Sequence, residues 1–187
     1  MRELEMRGVK EPTNIEEIKK FEQLINAKLP DDYIEWLLKH NGGHPDFDRY
    51  DLAETDPDYT HVTANIAWFC ALGKEYKVNL EYEYKVFINR IPYEMISIAY
   101  TSCGNQICLG VRDPYYGKLY LWDHEMEAGA IKFVYENFGI EIAMRNTGLT
   151  EEEVKNYGDE PTYKNIYLIA NSFTEFINKL RPYEETL

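Results

Sequence analysis

Three apolar runs crowd into residues 95 to 124: MISIAYTS, QICLGV and KLYLWDH, separated by the turn-forming pieces CGN at 103–105 and DPYYG at 113–117. Strands this close in sequence pair antiparallel, because a parallel neighbour needs a crossover of roughly a dozen residues or more. A three-stranded antiparallel sheet is therefore fixed early, and its apolar faces have to be covered by something. The flanking sequence supplies helices, and the order of elements is α+β, a mainly antiparallel sheet flanked by helices, with no βαβ alternation.

The covering helices are marked by their spacing and their ends. NIEEIKKFEQLINA, residues 14–27, carries Ile15, Ile18, Phe21, Leu24 and Ile25 at helical intervals, with Asn14 as cap and Glu17 as its capping-box partner. In KLPDDYIEWLLKHNGGHPD, residues 28–46, Pro30 suits a first helical position and Asp31 and Asp32 complement the positive end of the dipole. Tyr33, Ile34, Leu37 and Leu38 form the stripe; Asn41, Gly42 and Gly43 tolerate the left-handed stop, and Pro45 blocks resumption. NIAWFCAL, 65–72, reads as one strand and residues 75–90 as a helix ending at Ile91-Pro92. Residues 126–163 hold two short helical patterns, the second capped by Thr150 with Glu153, and Ser172 with Glu175 opens a closing helix on Phe173, Phe176, Ile177 and Leu180.

Charge narrows the function. With 20 Lys plus Arg against 33 Asp plus Glu, the formal net charge is −13. A surface of that sign repels phosphate backbones and anionic headgroups, which argues against direct nucleic-acid or membrane binding and for a basic partner. The N-terminus MRELEMRGVKEP has no apolar core of a signal sequence and the three cysteines show no secreted framework, so a reducing, cytoplasmic setting is expected.

No catalytic constellation stands out. His40 and His44 are four apart, but Gly42-Gly43 interrupts the helix that would present them together, and His61 and His124 belong to no metal motif. Asp46 with Asp48 and Asp56 with Asp58 do not continue into an EF-hand loop. The double glycine follows its helix, at the negative dipole end, where an anion is disfavoured. Cys103 and Cys108 flank one turn without the geometry of an easy disulfide. Neither catalytic residues nor metal nor cofactor is expected. What remains is acidity mixed with aromatics: an ordered acidic loop over 44–61, anchored by Phe47, Tyr50, Leu52 and Tyr59, and further tyrosines interleaved with acids at Tyr82 and Tyr84 and, in the insertion, Tyr157 and Tyr163.

Ile18 to Glu22 in the form I-x-x-F-E, then Leu-Pro-x-x-Tyr and Asn-Gly-Gly-x-Pro within 29–45, then ISIAYTSCGNQICLGV, GKLYLWDHE and ANSFTEFINKL occur in the order of the SUKH superfamily, the SMI/KNR type of domain. The chain resembles that family over about two thirds of its length. The resemblance implies a single, non-enzymatic SUKH-like α+β domain over 1–187, with 126–163 as an insertion atypical of the family. It also implies an immunity protein that binds and neutralises a cognate toxin, often a nuclease. The yeast relatives imply an alternative, a scaffold that docks a cellular enzyme. The contact surface is expected on the acidic loop, at Asp46, Asp48, Tyr50, Asp51, Asp56, Asp58 and Tyr59.

Overall fold

The computed structural model describes residues 1–52, 63–73, 77–157, 161 and 163–183. Its centre is a five-stranded antiparallel sheet in the order β5 (Trp68–Phe69), β6 (Met95–Tyr100), β7 (Gln106–Gly110), β8 (Leu119–Trp122) and β9 (Ile166–Ala170). The predicted three-strand meander is its middle, with Ile107 opposite Leu121 and Cys108 opposite Tyr120. Period-two alternation sends Ile107, Leu109, Leu119 and Leu121 to one face and Cys108, Tyr120 and Trp122 to the other. Both sets are apolar, so both faces are buried.

The larger core lies on the first face. There α1 (Ile15–Ile25), α2 (Asp31–His40) and α7 (Phe173–Lys179) bury Ile18, Phe21, Tyr33, Trp36, Leu37, Phe173 and Phe176. The rings interlock edge to face, Tyr33 on Phe173 at 4.9 Å between centroids and Trp36 on Phe173 at 5.3 Å. The second face carries a smaller cluster in which Trp122 meets Phe87 of α3 (Leu80–Phe87) at 5.5 Å. Two ribbons lie outside the main sheet: β1 (Met6–Arg7) with β2 (His44–Pro45), and β3 (Arg49–Asp51) with β4 (Thr63–Asn65).

Several expectations are corrected. NIAWFCAL is not one strand but parts of β4 and β5, which pair with different partners, β3 and β6. Pro30 stands at the cap, with extended backbone, one position before the first helical residue. The hairpin loop between β6 and β7 runs over residues 101–105 because Tyr100 pairs with Gln106, so the turn is longer than the CGN piece at 103–105. Between β8 and β9 the described residues form a short 3-10 turn at His124–Met126 and three α-helices rather than two: α4 (Ala128–Phe138), α5 (Ile140–Thr147) and α6 (Glu151–Lys155). They share a small core of their own, Ile131, Ala143 and Val154. The Thr150–Glu153 capping box forms. The other two do not close: Glu17 pairs with Lys20 at 2.6 Å, and Glu175 accepts from the Asn171 N–H and pairs with Lys179.

The stop of α2 ties the layers together. Asn41 is buried with φ 41°, its amide donates to the Glu11 and Leu72 carbonyls, and its Oδ1 accepts from the Leu72 N–H at 2.8 Å. Gly43, at φ 109°, then exchanges both backbone hydrogen bonds with Phe69, 3.2 and 2.8 Å, and a Cβ there would sit 2.8 Å from the Arg7 carbonyl oxygen. Removing the Asn41 amide strands the buried Leu72 N–H and carbonyl. Asn41→Gly, which keeps the backbone and deletes the amide, is expected to lower unfolding free energy in urea by about 2 kcal/mol; Asn41→Ala should cost more through its strained left-handed backbone.

Candidate functional site

The acidic segment leaves α2 at this corner and runs as the outer ribbon. Its described acids are all engaged. The Asp46 carboxylate is exposed and accepts from the backbone N–H groups of Glu5 at 3.1 Å and Phe47 at 3.0 Å. Asp48, with a side chain only 14% exposed, lies 3.4 Å from Arg49 Nε. Asp51, 63% exposed, is 2.7 Å from the Arg181 guanidinium. Tyr50 is a correction: the alternation that turns Arg49 and Asp51 outward turns Tyr50 inward, where it is buried with its ring 5.4 Å from Phe176. It anchors the ribbon and offers no contact area. Asp56, Asp58 and Tyr59 lie outside the described residues.

The other sequence candidates have structural duties. His44 Nδ1 is 2.9 Å from the Ala67 carbonyl, and His124 Nδ1 is 2.7 Å from Asn105 Oδ1, in a turn that Asp123 caps through the Glu125 N–H. His40 packs on the Trp36 ring at 5.4 Å between centroids. His61 lies outside the described residues. Among the described residues no three His, Cys, Asp or Glu side chains gather where they could hold a metal ion, and no helix is long and apolar enough to cross a membrane. Cys70 and Cys108 are buried and Cys103 is exposed, all as free thiols; burial pushes the Cys70 and Cys108 thiols well above their ordinary range.

One feature was invisible in the sequence. Beside α3, at the Met95 end of β6, a cavity of about 270 Å³ is walled by Tyr84, Phe87, Tyr93 and Tyr163, with Glu94 and Ser97 supplying polar atoms. Tyr163 stacks on Tyr115 at 5.4 Å and donates its hydroxyl to Glu94 at 2.5 Å. Tyr84 follows Glu83 and Tyr163 comes three residues after Glu160 in sequence, but only the fold brings the two rings to one hollow. Tyr157, grouped with them in sequence, donates instead to the Met126 carbonyl at 3.1 Å.

The sequence that builds this twice-covered sheet and Asn-Gly-Gly corner has relatives. The SMI1 / KNR4 family (SUKH-1) model matches residues 12–144. The chain belongs to that family. The match runs from just before α1 to within α5, and so takes in both the corner and the three-strand meander. SUKH-1 members are typically non-catalytic immunity proteins against polymorphic toxins. The chain is also 27% identical over 180 residues to the SPbeta prophage-derived uncharacterized protein YokK of Bacillus subtilis (strain 168), with 88% of this chain and 73% of that protein covered.

Two solution properties follow from the side-chain environments. Cys103 should react with a thiol reagent such as dithionitrobenzoate in the native protein, while Cys70 and Cys108 react only once the chain is unfolded; rapid labelling of all three thiols in native buffer would contradict the burial. His40 is held below its ordinary pKa, first by burial and then by the neighbouring Lys39 charge, with Glu3 opposing. The unfolded chain therefore takes up a proton at His40 before the folded one does. Its contribution to stability is present above about pH 6.5 and is lost as pH falls through the lower folded value. His40→Gln should flatten the stability curve between about pH 7 and pH 5, read by urea midpoints.

Proposed function

We propose that this SUKH-1 protein is an immunity protein that binds a cognate polymorphic toxin and masks it, through a surface centred on the acidic 46–59 segment. The observation that carries the reading is family membership over residues 12–144. The net charge of −13 supports it: a chain so acidic attracts a basic protein, such as a nuclease whose cleft binds nucleic acid, and competes with that nucleic acid for the cleft. No bond is made or broken; occupying the toxin is the function.

The site assignment rests on Asp46, Asp48 and Asp51 together with Asp56, Asp58 and Tyr59. Of the described acids, Asp46 and Asp51 face solvent, and their hydrogen bonds and ion pair hold them in fixed positions. Fixed charges cost less to organise on binding than mobile ones. Tyr50 belongs to the support beneath them.

The test is charge reversal. A chain carrying Asp46→Lys, Asp56→Lys and Asp58→Lys should associate with the toxin encoded beside its gene on the order of tenfold more slowly at low salt, with a smaller difference at high salt. It should also protect toxin-expressing cells less well. Unchanged association and full protection would remove this segment from the binding surface.

A further inference from the structure

The hollow beside α3 lies away from the acidic ribbon. The ribbon meets the sheet beyond the end of β6, where Asn65 donates to the Ser102 hydroxyl at 2.7 Å, whereas the hollow opens at the Met95 end. At about 270 Å³ it is smaller than the roughly 300 to 1,000 Å³ of small-molecule sites. It has room for a side chain rather than for a cofactor.

Its lining selects the kind of side chain. Four aromatic rings line it, with Arg112 already over one face of Tyr93 and Arg90 over one face of Phe87, and Glu94 is the one charged residue among the lining residues described. Tyr163 has one face on Tyr115 and is still 46% exposed. The neighbouring arginines are already committed. Arg90 makes two hydrogen bonds to Glu127, 2.8 and 2.7 Å, and Arg112 donates to the backbone carbonyls of Tyr93, Ile25 and Asn26. These two arginines also display the chemistry the rings favour, because Arg112 lies 3.7 Å over the Tyr93 ring and Arg90 lies 4.8 Å over Phe87.

We propose that this hollow is an arginine socket, receiving one arginine side chain from a basic protein partner. The aliphatic stem lies along Ile91 and Met95, the guanidinium stacks on the exposed Tyr163 ring, and Glu94 accepts its hydrogen bonds after exchanging the Tyr163 hydroxyl for them. A lysine would bring the charge without the flat face, and a leucine would bring neither. The socket adds an anchor to the partner-binding reading and rests on that reading only for who donates the arginine; its chemistry is tested without the partner.

The test is a titration of the ¹⁵N-labelled full chain with Nα-acetyl-L-argininamide, alongside the lysine and leucine analogues at matched ionic strength. Saturable shifts at Asn89, Glu94 and Tyr163 are expected with the arginine probe at roughly millimolar concentration, several-fold weaker with lysine and without saturation for leucine. Glu94→Gln should weaken the arginine probe about tenfold. Tyr163→Phe keeps the ring and releases Glu94, so it should bind at least as tightly as the native chain. Leucine binding as well as arginine, an unaffected Glu94→Gln chain, or shifts mapping elsewhere would overturn the proposal. The Asp46, Asp56 and Asp58 reversal chain should bind the probe normally; loss of toxin protection there with the probe unaffected separates the ribbon from the socket, and failure of the toxin reading leaves the probe result standing.

Discussion

The side-chain amide of Asn41 is the point on which the architecture turns. It donates to the carbonyls of Glu11 and Leu72 and accepts from the Leu72 N–H, so one buried group joins the segment before α1, the end of α2 and the chain leaving β5. Each of those backbone groups would be costly to bury alone. The glycine that follows pairs with Phe69, which brings the outgoing chain against the edge strand of the sheet. The acidic ribbon therefore has its position set by a helix stop. Composition decides what the ribbon presents, but the corner decides where.

Legibility followed locality. Helices α1 and α2 and the 95–122 meander could be read because their apolar periods and the signals at their ends lie within a few residues of one another. The break in NIAWFCAL could not, because Asn65 pairs with Arg49 and Phe69 with Ala99, and nothing local says which partner a strand will take. The capping boxes make the same point at shorter range. Glu153 reaches back to Thr150, but Glu17 has Lys20 and Glu175 has Lys179 one turn away, and in both cases the cation takes the carboxylate. Tyr50 was read by its company of acids, whereas strand alternation governs where its ring goes. The hollow beside α3 required residues from α3, β6 and the segment before β9 to meet, which no spacing rule reports.

The charge of this protein works on two scales. Pair by pair, Asp46, Asp48 and Asp51 serve the fold, as does Glu22, which accepts from the Leu29 N–H at 3.0 Å and pairs with Lys28 at 2.6 Å. Collectively, 33 acids against 20 bases still leave a long-range field that such local pairing does not erase. A SUKH-1 domain can thus spend its acids on internal order and remain electrostatically selective, with orientation left to particular contacts.

Among the described residues, the helices α4, α5 and α6 bury the apolar side chains of Ile131, Ala143 and Val154 alone, while Phe133 and Phe138 stand 58% and 61% exposed. So thin a nucleus buries far less apolar surface than the sheet does, and the module is expected to open locally at lower free energy than the whole domain unfolds. The module is accordingly a satellite of the domain, packed chiefly on itself, and the sheet keeps its own core without it.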